Sequence, residues 1–118
     1  MRQPDNIIIN VRSVINSPFC IDAADGQKIY ELLHKALSEK NRVTLSFKGI
    51  DLLITAFLNT AVGQLFRDFS EEEINTYLNK TDLNPGFEPV WDKVTRGAPI
   101  YYAQPDKVKK DIRDILED

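Results

Sequence analysis

Cysteine occurs once in the chain, at Cys20, and one thiol cannot close an internal disulfide, so nothing calls for an oxidising compartment. Its neighbours Phe19 and Ile21 mark it as a small buried hydrophobe rather than a reactive thiol. Histidine also occurs once, at His34. A metal centre draws on several His, Cys or carboxylate ligands, and neither HExxH nor CxxC is present. The five glycines are scattered, which excludes a phosphate-cradling glycine loop, and no Gly-x-Ser-x-Gly elbow occurs. No cofactor is implied. No apolar run approaches the length of a membrane span. The N-terminal stretch MRQPDNIIIN lacks the long apolar segment and cleavage site of a signal peptide, so a cytoplasmic protein is expected. An excess of positive charge is missing too. The net charge of −3 and pI near 5.2 argue against nucleic-acid binding, which needs a basic face.

What remains is an ordinary globular composition, with 42% hydrophobic and 28% charged residues. The 118 residues suit one domain, 1–118, with one modest core. The β-branched run Ile7–Val11 reads as a strand buried on both faces. Ser13–Pro18 carries turn residues, with room for a short strand near Val14–Ile15. A helix is expected from about Ala24 to Glu39, capped by Asp22 or Asp25 and ended by Asn41. Its buried stripe is Ile29, Leu32, Leu33, Ala36 and Leu37. His34 falls on its flank, with no obvious companions. Val43–Phe47 alternates as a strand, and Gly49 breaks it.

Asp51–Ile54 reads as a short connection into a second helix. Leu58, Ala61, Val62, Leu65, Phe66 and Phe69 form that helix's apolar stripe. Ser70-Glu71-Glu72-Glu73 is a capping-box pattern and predicts one helical turn. A strand near Tyr77–Leu83 follows, then a turn at Asn84-Pro85-Gly86. Phe87, Val90, Trp91 and Val94 mark another helix, which Gly97 is expected to stop. Pro105 can open a final helix with Val108, Ile112, Ile115 and Leu116 on one face. This alternation defines an α/β protein with right-handed crossovers between parallel strands.

Catalytic constellations are scarce. A Ser–His–Asp site would have to be built around His34. The 18 acidic residues fall mainly on helix surfaces and termini, with Glu71, Glu72 and Glu73 suited to a helix first turn. Thr55 stands where a loop hands over to a helix. It reads either as an N-cap or as a hydroxyl whose phosphorylation would place about −1.5 to −2 charges there.

Three segments together resemble a known family. They are Asp25-Gly26 with Ile29-Tyr30, then Val43-Thr44-Leu45-Ser46-Phe47-Lys48-Gly49-Ile50, then Ile54-Thr55-Ala56-Phe57-Leu58-Asn59. Over Cys20–Leu83 the chain is similar to the STAS-like domain family of unknown function. That family more distantly resembles the STAS domains of bacterial anti-sigma factor antagonists. The resemblance implies a small mixed β-sheet of four to five strands with helices packed on one side. It also implies a regulatory protein that binds a histidine-kinase-like ATPase in partner switching and is released by phosphorylation at the start of the second helix.

Carried over by position, the family's strand-end acidic residue falls at Ser46 and its Ser-Gly at Lys48-Gly49. The acceptor hydroxyl falls at Thr55. The sequence departs from the antagonist pattern at Ile54, Ala56 and Phe57, where Asp, Ser and Gly are usual. The partner-binding candidates are Gly49, Asp51, Leu52, Leu53, Thr55, Phe57 and Asn59. Phe57 is either an exposed anchor or a core residue. An exposed apolar cluster of Leu52, Leu53 and Phe57 would favour binding. Two other readings stand beside this one. A small enzyme would need a pocket with convergent polar groups, which the sequence does not identify. A homodimer would use Trp91, Tyr101 and Tyr102, which otherwise complete the monomer core.

Overall fold

A computed structural model describes residues 6–103. Five strands form among them: β1 (Asn6–Asn10), β2 (Phe19–Cys20), β3 (Arg42–Ser46), β4 (Leu52–Leu53) and β5 (Leu78–Thr81). They make two sheets rather than one mixed sheet. The larger has the order β1-β3-β5 and the smaller pairs β2 with β4, and every ladder is parallel. The register sets Ile7 beside Val43 and Ile9 beside Leu45, and Val43 in turn beside Leu78.

Period-2 alternation then sends Ile9, Val43, Leu45 and Leu78 into the core. Ile8, paired with Thr44, is 68% exposed. The expected burial of β1 on both faces is thereby corrected. The run of three isoleucines is apolar throughout, yet one face of the sheet is open at Ile8.

Val11–Ile15 is a helical turn, α1, and not the turn or short strand expected there. The Asn10 side chain accepts from the Ser13 amide at 3.0 Å and starts it. Asn16, at φ 55°, ends it in the left-handed region that asparagine tolerates.

Helix α2 spans Ala23–Ser38, and Asp22 accepts from the Ala24 amide at 2.8 Å. It buries Ile29, Tyr30, Leu33, Ala36 and Leu37, whereas Leu32 is 42% exposed and leaves the predicted stripe. Gly26 is where α2 crosses the second helical segment most closely. A Cβ there would sit 2.8 Å from the Phe57 carbonyl oxygen and 3.1 Å from Thr60 Cβ.

That second segment is α3 (Thr55–Leu58), a π-helical stretch (Asn59–Gly63) and α4 (Leu65–Asp68) in succession. The π register shows in the Gln64 amide, which donates to the Asn59 carbonyl five residues back at 3.1 Å. Leu58, Ala61, Val62, Leu65 and Phe66 are buried as expected, and Phe69 is half-buried just beyond.

Helix α5 (Glu71–Tyr77) carries the full capping box, with Ser70 Oγ accepting from the Glu73 amide and Glu73 from the Ser70 amide. Seven residues long, it outruns the single turn expected before β5. Helix α6 spans Glu88–Ala103 and continues through Gly97 and Pro99, so Gly97 does not stop it. It packs on α3, the π stretch and α4, and that packing outweighs the weak propensity of the two residues. Trp91 meets Phe47 edge-on at 6.1 Å, consistent with a place at the core margin. The final helix expected from Pro105 lies outside the described residues. Among the described residues no helix is long and apolar enough to cross a membrane.

Candidate functional site

The face around β4 and the start of α3 is assembled from two chain segments. β4 pairs with β2, and backbone bonds flank that ladder: the Asp51 and Leu52 amides donate to the Pro18 carbonyl, and the Ile54 amide to the Cys20 carbonyl. The register places Phe19 beside Leu52 and Cys20 beside Leu53. Alternation therefore divides the pairs. Cys20 and Leu53 are buried, at 0% and 2% exposure. Phe19 and Leu52 point outward at 47% and 41%, and Ile21, two residues on, is 50% exposed. Ile54, just past β4, is half-buried. Three large apolar side chains thus crowd one small surface directly before α3.

The sequence-derived candidates distribute unevenly over this face. Gly49, at φ +77°, makes the turn after β3, and its carbonyl accepts from Arg12 Nη1 at 3.3 Å. A side chain at Gly49 would be strained by that φ and would meet Arg12 Nη1 at 2.8 Å. Asp51 is exposed, and Leu52 joins the apolar patch. Leu53 and Phe57 do not: Phe57 is fully buried. Both serve the core, which decides Phe57 for the core reading and removes both from the partner-binding candidates at the surface. Their places on the surface are taken by Phe19 and Ile21. The signal for these two was present in the apolar–small–apolar triplet Phe19-Cys20-Ile21, whose flanks share a face if the segment is extended.

Thr55 is half-buried and is the first residue of α3. Ile54 occupies the N-cap position and offers no side-chain cap, so Thr55 is not itself the cap. Among the described residues its hydroxyl has no hydrogen-bond partner. Ala56 is exposed beside it, and Asn59 is half-buried one turn on.

Thr55 and Asn59 also stand on the rim of a groove of about 390 Å³ between the second helical segment and α6. Tyr101 and Tyr102, expected in the core or at a dimer contact, line this groove, with their rings edge to face at 4.8 Å.

His34, expected to stand alone, has company. Asp68 Oδ2 lies 3.8 Å from its Nε2 and Ser38 Oγ lies 3.4 Å from its Nδ1. The first distance is too long for a hydrogen bond and the second is marginal. Asp68 is already engaged by Arg67, at 3.1 and 3.2 Å, and by the Tyr30 hydroxyl. Arg67 holds the Asp68 carboxyl below the usual carboxylate range, and burial raises the Tyr30 hydroxyl. His34 packs between the Tyr30 and Phe69 rings. The cluster fastens α2 to α4. Sequence periodicity could not bring these residues together, because the pairing depends on how the helices cross.

Beneath the apolar patch, burial and then the nearby Asp25 charge push the Cys20 thiol up to about 12. A thiol so raised stays protonated and unreactive at neutral pH.

The alternation of parallel strands and covering helices, with this face at the entry to the second helix, defines an α/β domain. The chain belongs to the family described as STAS-like domain of unknown function, matched over residues 25–86, more than half its length. No curated protein and no solved structure matches it. The matched region runs from the first turn of α2 through β5 and therefore contains Thr55, β4 and the π stretch, while Phe19 and Ile21 precede it.

Proposed function

We propose that the protein is a cytoplasmic regulatory binding module of the anti-sigma factor antagonist kind. Its docking face is the apolar patch of Phe19, Ile21 and Leu52 with the adjoining first turn of α3. The observation that carries this reading is the exposure of three large apolar side chains on a two-stranded ladder next to a threonine hydroxyl that caps nothing. Large apolar anchors ringed by polar groups dominate protein interfaces, and Asp51, Thr55 and Asn59 supply the polar margin. The partner in this reading is a histidine-kinase-like ATPase. Phosphate on Thr55 would add about −1.5 to −2 charges at the edge of an apolar contact and weaken it by desolvation. The buried position of Phe57 leaves the switch to Thr55 and the anchoring to the β2–β4 ladder.

The test is capture from a native host lysate on immobilised wild type, Leu52→Asp and Thr55→Glu, with identification by mass spectrometry. A histidine-kinase-like ATPase is expected on wild type, absent from Leu52→Asp and depleted on Thr55→Glu. Equal retention by wild type and Leu52→Asp would remove the patch from the interface. Retention of no ATPase by any of the three would count against the partner class itself.

A further inference from the structure

The groove along the π stretch is lined by basic, polar and aromatic side chains. The chain carries 18 acidic residues against 15 basic ones, yet among the described residues no acidic side chain lines the groove, while Lys93 and Arg67 both do. Arg67 is committed to Asp68. Lys93 is exposed and has no ion-pair partner among the described residues. Thr60 and Asn59 line the same space, the Thr60 hydroxyl donating to the Ala56 carbonyl at 3.2 Å, and Tyr101 and Tyr102 add aromatic surface.

The groove owes its shape to two departures from a regular helix pair. On one wall the backbone widens into the π register at Asn59–Gly63, and such bulges occur often at functional sites. The Gln64 side chain satisfies the Thr60 carbonyl at 2.8 Å and ties the bulge to Gln27 of α2 at 3.1 Å. On the other wall, Gly97 leaves open space, since a Cβ there would meet nothing within 4 Å. Pro99, two residues on, removes the amide that would bond the Thr95 carbonyl. Two poor helix formers in one turn cost stability, and Gly97 faces the groove instead of a packing partner. A cavity of about 390 Å³ is within the usual range for small-ligand sites.

We infer that this groove is a binding site for a small organic anion with a planar aromatic body. The anionic group meets Lys93, and the ring lies over Gly97 against the tyrosines. Cations are disfavoured by Lys93, whose charge no carboxylate among the described lining residues offsets. This inference is independent of the partner proposed above.

The test uses the full chain and three probes of one shape: benzoate, benzamide and benzamidine, which carry negative, zero and positive charge. Each is titrated while backbone amide signals are followed by nuclear magnetic resonance. Benzoate is expected to shift the amides of Thr60, Gly63 and Gly97 saturably in the millimolar range, as suits so few heavy atoms. Benzamide should bind about threefold to tenfold more weakly, as should benzoate to Lys93→Gln, each having lost one exposed charge-assisted contact. Gly97→Leu should fold, because its Cβ enters open space and leucine favours the helix. It should also abolish the shifts by filling the groove. No saturable shift with any probe would overturn the inference. So would equal binding of benzamidine, or binding to a folded Gly97→Leu unchanged from wild type.

Discussion

Cys20 shows how one burial decision governs both reactivity and pH response. Its thiol is fully buried beneath the exposed pair Phe19 and Leu52, and its pKa is pushed up to about 12 from an ordinary value of 9.0. Native protein at neutral pH should therefore resist alkylation by iodoacetamide, whereas unfolded protein should react completely. Quantitative labelling of the native state, as fast as that of the unfolded chain, would contradict the burial. The sign of the pH dependence follows. Above the unfolded value the unfolded chain releases this proton and the folded chain keeps it, so stability falls as pH rises from about 9 towards 12. Cys20→Ala should flatten that part of the alkaline limb in urea unfolding. The burial itself was legible, since a cysteine between two large apolar residues is usually inside. Phe57 was ambiguous for a comparable reason. It adjoins the buried stripe, and only packing shows that it lies within the core.

At the scale of elements, the tightest constraint is the crossing of α2 over α3 and the π stretch. Gly26 permits it, with the Phe57 carbonyl oxygen only 2.8 Å from where a Cβ would stand. Gly26→Ala gains helix propensity but must push a backbone carbonyl, so a net loss of about 1–2 kcal/mol is expected. Gly97→Ala meets no neighbour and should gain about 0.5–1 kcal/mol. The opposite signs of two identical substitutions, read from urea midpoints, separate crossing geometry from propensity. A stabilised Gly26→Ala would mean that the helices do not approach there.

Much of this level could be read in advance. The stripes of α2 and the second helical segment, the alternation of β3 and the capping box at Ser70 are all one-dimensional patterns. Other features have no such period. The π stretch arises where helices are held in contact, and β4 is two residues long and exists through β2. Helix α6 passes through Gly97 because its packing stabilises it more than a single weak residue costs. α1 replaced the expected turn because Asn10 and Asn16 cap both ends of a five-residue helix.

For the whole molecule, large apolar side chains are exposed in several settings among the described residues, with Leu32 on α2 and Ile100 on α6 besides the two sheets. Ile8 stands at 68% exposure on the open face of β1-β3-β5, while Phe19, Ile21 and Leu52 cluster on the β2–β4 ladder at the entrance to α3. The ladder cluster adjoins a threonine at the first turn of α3. The existence of an α/β domain was legible from strand and helix alternation. The composition of the candidate face was only half legible, because Leu52 and Thr55 were among the sequence candidates, whereas Phe19 joins them through strand pairing and Ile21 lies two residues on. The measurement that bears most directly on the proposed role is the affinity of the captured ATPase, purified, for wild type, Phe19→Asp, Leu52→Asp and Ile8→Asp by calorimetry. Phe19→Asp and Leu52→Asp should each weaken binding at least tenfold, about 1.4 kcal/mol, with Ile8→Asp near wild type. Undiminished binding by both ladder variants, or a loss confined to Ile8→Asp, would contradict the β2–β4 ladder as the docking face.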